Sequence, residues 1–216
     1  MDQFCNDVDL LAIEPGIFLG GGRPGQLLAA GAGGSISGTG FVATGRDFVA
    51  AGVSAGMVLC VYTTSPSEGV AYEITSVASG SLGISVLRAD ACQPIIAPPA
   101  AEGLSWQVCT FAAQITTIGR TLAEKLRLFQ EVGGIKVATF ADSSQLRATA
   151  ANGTLASIFV ARAENAAPSD ANWIKAQYYR RQFLDLQLAM RLVVDVDGDG
   201  VARQTRTLGN VTLRRL

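Results

Sequence analysis

At 216 residues the chain fits one large domain or two small ones, with enough length for a real core. Its 17 basic and 18 acidic residues leave a net charge of −1, which excludes a nucleic-acid binder working by bulk charge and an acidic disordered tail. Histidine is absent, and with it the commonest general base, the commonest metal ligand and every Ser-His triad.

Charged residues make up 16% of the chain, against about 25% in an ordinary soluble domain. A surface this poor in charge implies coverage by other subunits. Lys125, Lys136 and Lys175 are the only lysines, so arginine dominates, as suits bidentate ion pairs at interfaces; a GC-rich genome gives the same bias. Cys5, Cys60, Cys92 and Cys109 have no paired spacing for zinc, and Cys60 and Cys109 sit in apolar runs as small core residues. The start MDQFCNDVDL lacks a basic and an apolar signal region, and no run reaches a membrane span, so a reduced, cytoplasmic setting without membrane contact is expected.

In chain order, residues 7–19 (DVDLLAIEPGIFL) predict a short helical turn and then an extended segment, broken at Pro15-Gly16. The glycine-rich stretch 20–40 predicts a loop or loosely specified strands. Strands are predicted at 57–63, at 70–78 with Tyr72, Ile74 and Val77 inward, at 82–88 with Leu82, Ile84 and Val86 inward, and at 104–110 with Leu104, Trp106 and Val108 inward. Pro94, Pro98 and Pro99 make 93–103 an extended loop. Short strands at about ten-residue spacing predict a small barrel or sandwich.

Near Phe111 the period changes. Phe111, Ile115, Ile118, Leu122, Leu126 and Phe129 recur at three and four and predict a helix over 111–130, ended by Gly133-Gly134. A second helix starts near Asp142-Ser143-Ser144 and carries Leu146, Ala150, Leu155, Ile158 and Phe159. After Pro168, Ser169 or Asp170 caps a third, with Ala176, Tyr179, Phe183, Leu186 and Met190 on one stripe. Trp173, Ile174, Tyr178, Leu184 and Leu188 widen that stripe, which predicts packing on two sides. Leu192–Asp195 and Val211–Leu213 predict short strands. The expected fold is α+β: a β module over 1–110, a three-helix bundle over 111–191, and a C-terminal hairpin or arm over 192–216.

Three motifs bear on function. Gly20–Gly25 matches G-x-G-x-x-G, but Pro24 lies inside it and no βαβ unit follows, so it predicts a flexible or partner-ordered loop rather than a cofactor cradle. Asp195, Asp197 and Asp199 open a calcium-like loop whose closing position holds Arg206, so an acidic turn is expected; a cation site closed by another segment is the alternative. Arg180-Arg181 and Arg214-Arg215 suit pairing across subunits with Asp185, Asp195 or Asp197. No nucleophile has an activator, so neither a catalytic centre nor a cofactor is expected.

The run DSSQLRATAANGTLASIFVARA, the break at Pro168, the helix DANWIKAQYYRRQFLDLQLAMRL, the turn DVDGDG and the end TLGNVTLRRL resemble the head-tail connector (adaptor, or head-completion) proteins of tailed double-stranded DNA phages. The resemblance covers about half the chain, and the β-rich first half departs from the simplest, mostly helical members. It implies helices packed side by side in a homo-oligomeric ring, a dodecamer, below the portal protein. It also implies a next neck or tail protein as partner, DNA passing through the lumen without sequence-specific binding, and a place in the virion neck. Interface candidates are then Tyr178, Arg180, Arg181, Arg203, Arg206, Arg214 and Arg215. The competing readings are another minor capsid or tail-completion protein, or a ligand- or metal-binding module with its site in the barrel.

Overall fold

The computed structural model describes residues 4–19, 26–63, 69–126, 144–163, 167, 169–194 and 204–207. The fold is α+β. It divides into two compact units, Asn6–Ala112 and the chain from Ala113 onward, the latter with Phe4 and Cys5.

The first unit is a closed barrel of six antiparallel strands: β1 (Gln26–Ser37), β2 (Gly40–Val42), β3 (Val58–Tyr62), β4 (Gly69–Val77), β5 (Ser81–Ser85) and β6 (Ala101–Thr110), in the order β1-β2-β5-β4-β3-β6 with β6 returning to β1. Closure settles barrel against sandwich and leaves no edge strand. A filled core lies inside. Phe41, Phe48 and Trp106 meet one another with ring centroids 5.5–6.2 Å apart, amid Leu59, Ile74, Ile84 and Val108. The connection from β2 to β3 passes over the two intervening strands and sends Phe48 and Val53 into that core.

Of the two readings of the glycine-rich stretch, strand holds over residues 26–37, which form the longest barrel strand, and loop does not. Its glycines answer to the rings beneath it. A Cβ on Gly34 would lie 2.6 Å from the Phe41 ring and 2.8 Å from Trp106, and one on Gly31 3.0 Å from Trp106. Small residues let the strand backbone lie against aromatic faces, and register shifts along the β1–β6 ladder bend it around the barrel.

Helix α1 (Asp7–Ile13) opens with a capping box: Asn6 Oδ1 accepts from Asp9 N–H, and Asp9 Oδ2 accepts from Asn6 N–H. A 3-10 turn at Pro15–Ile17 follows, where an extended segment was expected. Leu10, Leu11, Ile17 and Phe18 are buried, Phe18 meets Phe111 edge to face at 5.2 Å, and Cys60 Sγ donates to Phe18 O. So Cys60 lies under the 3-10 turn, on the face of β3 opposite Leu59 and Val61.

Two smaller corrections concern the strands. Ala101–Gly103 belongs to β6 rather than to the preceding loop. Val86 lies beyond the end of β5 and is exposed, because Ser85 ends the ladder by bonding the loop instead. Tyr72 and Ile74 point inward, with Val77 packed at the margin.

In the second unit, α2 (Ala112–Lys125), α3 (Ser144–Arg162) and α4 (Ala171–Ala189) are helices, the last capped by Asp170, whose Oδ1 accepts from Asn172 and Trp173 N–H. Phe159 of α3 stacks on Tyr179 of α4 at 5.7 Å. Gly153 lets these helices close up: a Cβ there would meet Phe183 of α4 at 2.7 Å and Ile118 of α2 at 2.9 Å. Lys125 Nζ donates to Gln187 Oε1 at 3.0 Å. β7 (Arg191–Val194) pairs antiparallel with β8 (Gln204–Thr207). The strand opposite 191–194 is therefore 204–207; Val211–Leu213, Phe129, Gly133-Gly134 and Pro168 lie outside the described residues.

Candidate interaction surface

Buried polar groups come first, because a cleft chemistry would use them. Asp7 is the most buried carboxylate among the described residues: its Oδ2 accepts from Thr110 Oγ–H at 2.6 Å and its Oδ1 from Phe111 N–H at 2.8 Å. Thr110 Oγ accepts in turn from Ala112 N–H at 3.0 Å. Burial pushes the Asp7 carboxyl up to about 6, and the two hydrogen bonds only partly offset it. Both of its partners stand at the junction of β6 and α2, where Thr110 ends the strand and Phe111 precedes the helix, so Asp7 fastens the start of α1 to that junction. The thiols of Cys60 and Cys109 are pushed up to about 12 by burial, which leaves them protonated and inert. None of the four cysteines is in a disulfide.

The second buried pair is Glu73 and Arg88. Arg88 Nη2 and Nε donate to the two Glu73 oxygens at 2.6 and 3.0 Å, while Nη1 donates to Ala91 O and Gln93 O. A little further on, Ile96 N–H donates to Ser85 Oγ and Val86 N–H donates to Ile96 O. The long β5–β6 loop is thus tied to the barrel at 91, 93 and 96. Between and beyond those ties the chain reads Pro94-Ile95-Ile96-Ala97-Pro98-Pro99, and Ile95 and Ile96 are each half exposed. This loop was legible only as extended; its anchors were not, since one arginine after a strand carries no sequence signal.

Helix α4 presents the other surface. Its buried side carries Ala176, Tyr179 and Gln187. On the opposite side Ile174, Tyr178, Leu184 and Leu188 are exposed, Leu188 at 71%. These are the residues that widened the stripe in sequence. Of the interface candidates, Tyr178, Arg180 and Arg181 sit exposed on this helix, and Arg181 Nε stands 3.9 Å from Asp185 one turn on. Arg206 lies in β8 opposite Leu192. Arg203, Arg214, Arg215 and the aspartates 195, 197 and 199 lie outside the described residues, as does Gly20–Gly25.

Among the described residues no three acidic or cysteine side chains gather as a metal site would require, and no helix is long and apolar enough to cross a membrane. The barrel interior is occupied by its own aromatic side chains, so the room a barrel ligand would need is filled. Compared with family models, curated proteins and solved structures, the chain matches none.

Proposed function

We propose that the chain is a structural subunit of a tailed-phage neck, assembled as a homo-oligomeric ring between the portal of the head and the tail. One observation carries the assembly part of this reading: α4 leaves Ile174, Tyr178, Leu184 and Leu188 uncovered in a chain that has little surface charge to keep such a face in water. The neck assignment rests on the resemblance of the C-terminal half to head-tail connectors. In that role the protein holds neighbours together and lets DNA pass through the lumen, without chemistry of its own, and resides in the virion after assembly in the host cytoplasm.

The test has two parts. Native mass spectrometry and negative-stain imaging of the purified chain should give closed rings of one copy number. Immunogold labelling of tailed particles from the source strain should mark the head–tail junction. Rings without junction label would leave an assembly protein of another kind, whereas a monomer at all concentrations overturns the reading.

A further inference from the structure

We propose that the β5–β6 loop of one copy docks, through Pro94, Ile95 and Ile96, onto the exposed face of α4 in a second copy, in a head-to-tail contact. This rests on the assembly reading above and specifies its interface.

Three observations support that occupant. The first is preparation of the loop. Arg88 grips the carbonyls of Ala91 and Gln93 while it is itself held by Glu73, and Ser85 and Val86 grip Ile96. The prolines on either side fix φ. A segment already ordered loses little entropy on binding, so its exposed isoleucines are presented rather than loose.

The second is fit. Ile174 to Leu188 spans about 21 Å of helix at 1.5 Å per residue. The segment from Pro94 to Pro99 reaches about 16 Å at about 3.1 Å per residue if extended. The apolar residues of the two surfaces thus span similar lengths, with the Arg181–Asp185 pair set between those of α4.

The third is charge. The loop and its exit carry exposed Asp90 and Glu102, since Arg88 is neutralised by Glu73. Helix α4 carries Lys175, Arg180 and Arg181 against the single carboxylate Asp185. The acidic loop and the basic helix attract each other, whereas α4 against α4 brings like charges together. Because the two surfaces differ, each copy offers one donor and one acceptor. That is a heterologous contact, which propagates and closes into rings where the rotation allows.

The test mixes two variants of the full chain. The loop variant is Ile95→Asp/Ile96→Asp, and the helix variant is Ile174→Glu/Leu188→Glu. All four sites are exposed, so both should keep the wild-type circular dichroism and tryptophan emission. Each alone should run as a monomer by native mass spectrometry where the wild type forms multimers. Mixed in equal amounts they should form a heterodimer and nothing larger, because one intact loop and one intact helix remain between them. As a second measurement, Arg180→Glu/Arg181→Glu should weaken wild-type assembly at least tenfold at about 0.05 M salt and much less at about 0.5 M. A loop variant that assembles like the wild type, or a mixture that stays monomeric, overturns this contact while the ring reading stands. A wild type that is monomeric throughout, as it is when the loop docks on its own α4, overturns both.

Discussion

Replacing Asp7 with Asn should remove one specific slope from the pH dependence of the barrel unit's stability. In the folded chain burial raises the carboxyl from 3.8 to about 6, while in the unfolded chain it returns to its ordinary value. Between those two values the folded state holds a proton that the unfolded state has released. Stability from this group is therefore full below the unfolded pKa and is lost as pH rises through the folded one. Two units of difference at about 1.4 kcal/mol each amount to about 3 kcal/mol. The assay is urea unfolding followed by Trp106 emission in a Trp173→Phe background, so that the signal reports the barrel alone. The unfolding free energy of the parent minus that of the Asn variant should fall by about 3 kcal/mol from about pH 3 to about pH 7. Subtraction cancels the opposite trend from carboxylates such as Asp47, which Ala50 N–H holds below its ordinary value. Two curves that stay parallel, or a difference that grows with pH, would refute the assignment of Asp7 as a desolvated carboxylate.

Gly153→Ala should destabilise the helical unit by about 1–3 kcal/mol in thermal melts despite the better helix propensity of alanine, because its Cβ has Phe183 and Ile118 in its way. Gly34→Ala should lower barrel stability by a similar 1–3 kcal/mol or so, read by urea unfolding, through collision with Phe41 and Trp106. Arg88→Met should leave the barrel folded but release the loop, seen as faster proteolytic cleavage and faster amide exchange over 89–96. Calcium should leave the melting midpoint unchanged relative to chelator, since the loop opened by Asp195 has Arg206 in its closing position; a rise of many degrees, lost in Asp197→Asn, reverses that expectation.

How much of this was legible depended on which physical rule governed each segment. Strands β4 and β6 were readable because one face is core and the other is not, so Leu104, Trp106 and Val108 alternate with smaller or polar neighbours, whereas β3 was readable as a short continuous apolar run buried on both faces. Helices α3 and α4 were readable because Leu146, Ala150 and Ile158, or Ala176 and Tyr179, repeat at helical spacing on a buried side. Strand β1 was readable only as one of two alternatives, loop or strand, because its composition answers to Trp106, seventy-odd residues away, and not to local propensity. β2 is three residues long and too short for any period. Asp7 reads in sequence as an acid in the first turn of a helix; only the fold brings Thr110 and Phe111 onto it. On the surface side, the exposed face of α4 followed from counting apolar residues, whereas the anchoring of the β5–β6 loop depended on a partner fifteen residues upstream of Arg88.

A closed barrel also narrows how this unit can join anything. Every strand of β1–β6 has a neighbour on both sides, so the barrel has no edge strand, and adding a strand at an edge, the usual way a sheet recruits another chain, is disfavoured. Its interior is occupied, so a partner cannot insert a side chain there without displacing Phe41, Phe48 or Trp106. What remains is the outer surface, and most of that surface offers isolated apolar residues of the kind every protein shows. The β5–β6 loop differs because its apolar residues are consecutive and its backbone is held. Cutting the tie and removing the isoleucines should therefore act differently. Arg88→Met keeps Ile95 and Ile96 but must order them anew on binding, so it should weaken assembly while leaving its endpoint the same. Ile95→Asp/Ile96→Asp keeps the order but removes the contact, so it should abolish assembly at any concentration. Native mass spectra over a dilution series separate the two, and identical behaviour of both variants would mean that the held conformation of this loop has no part in association.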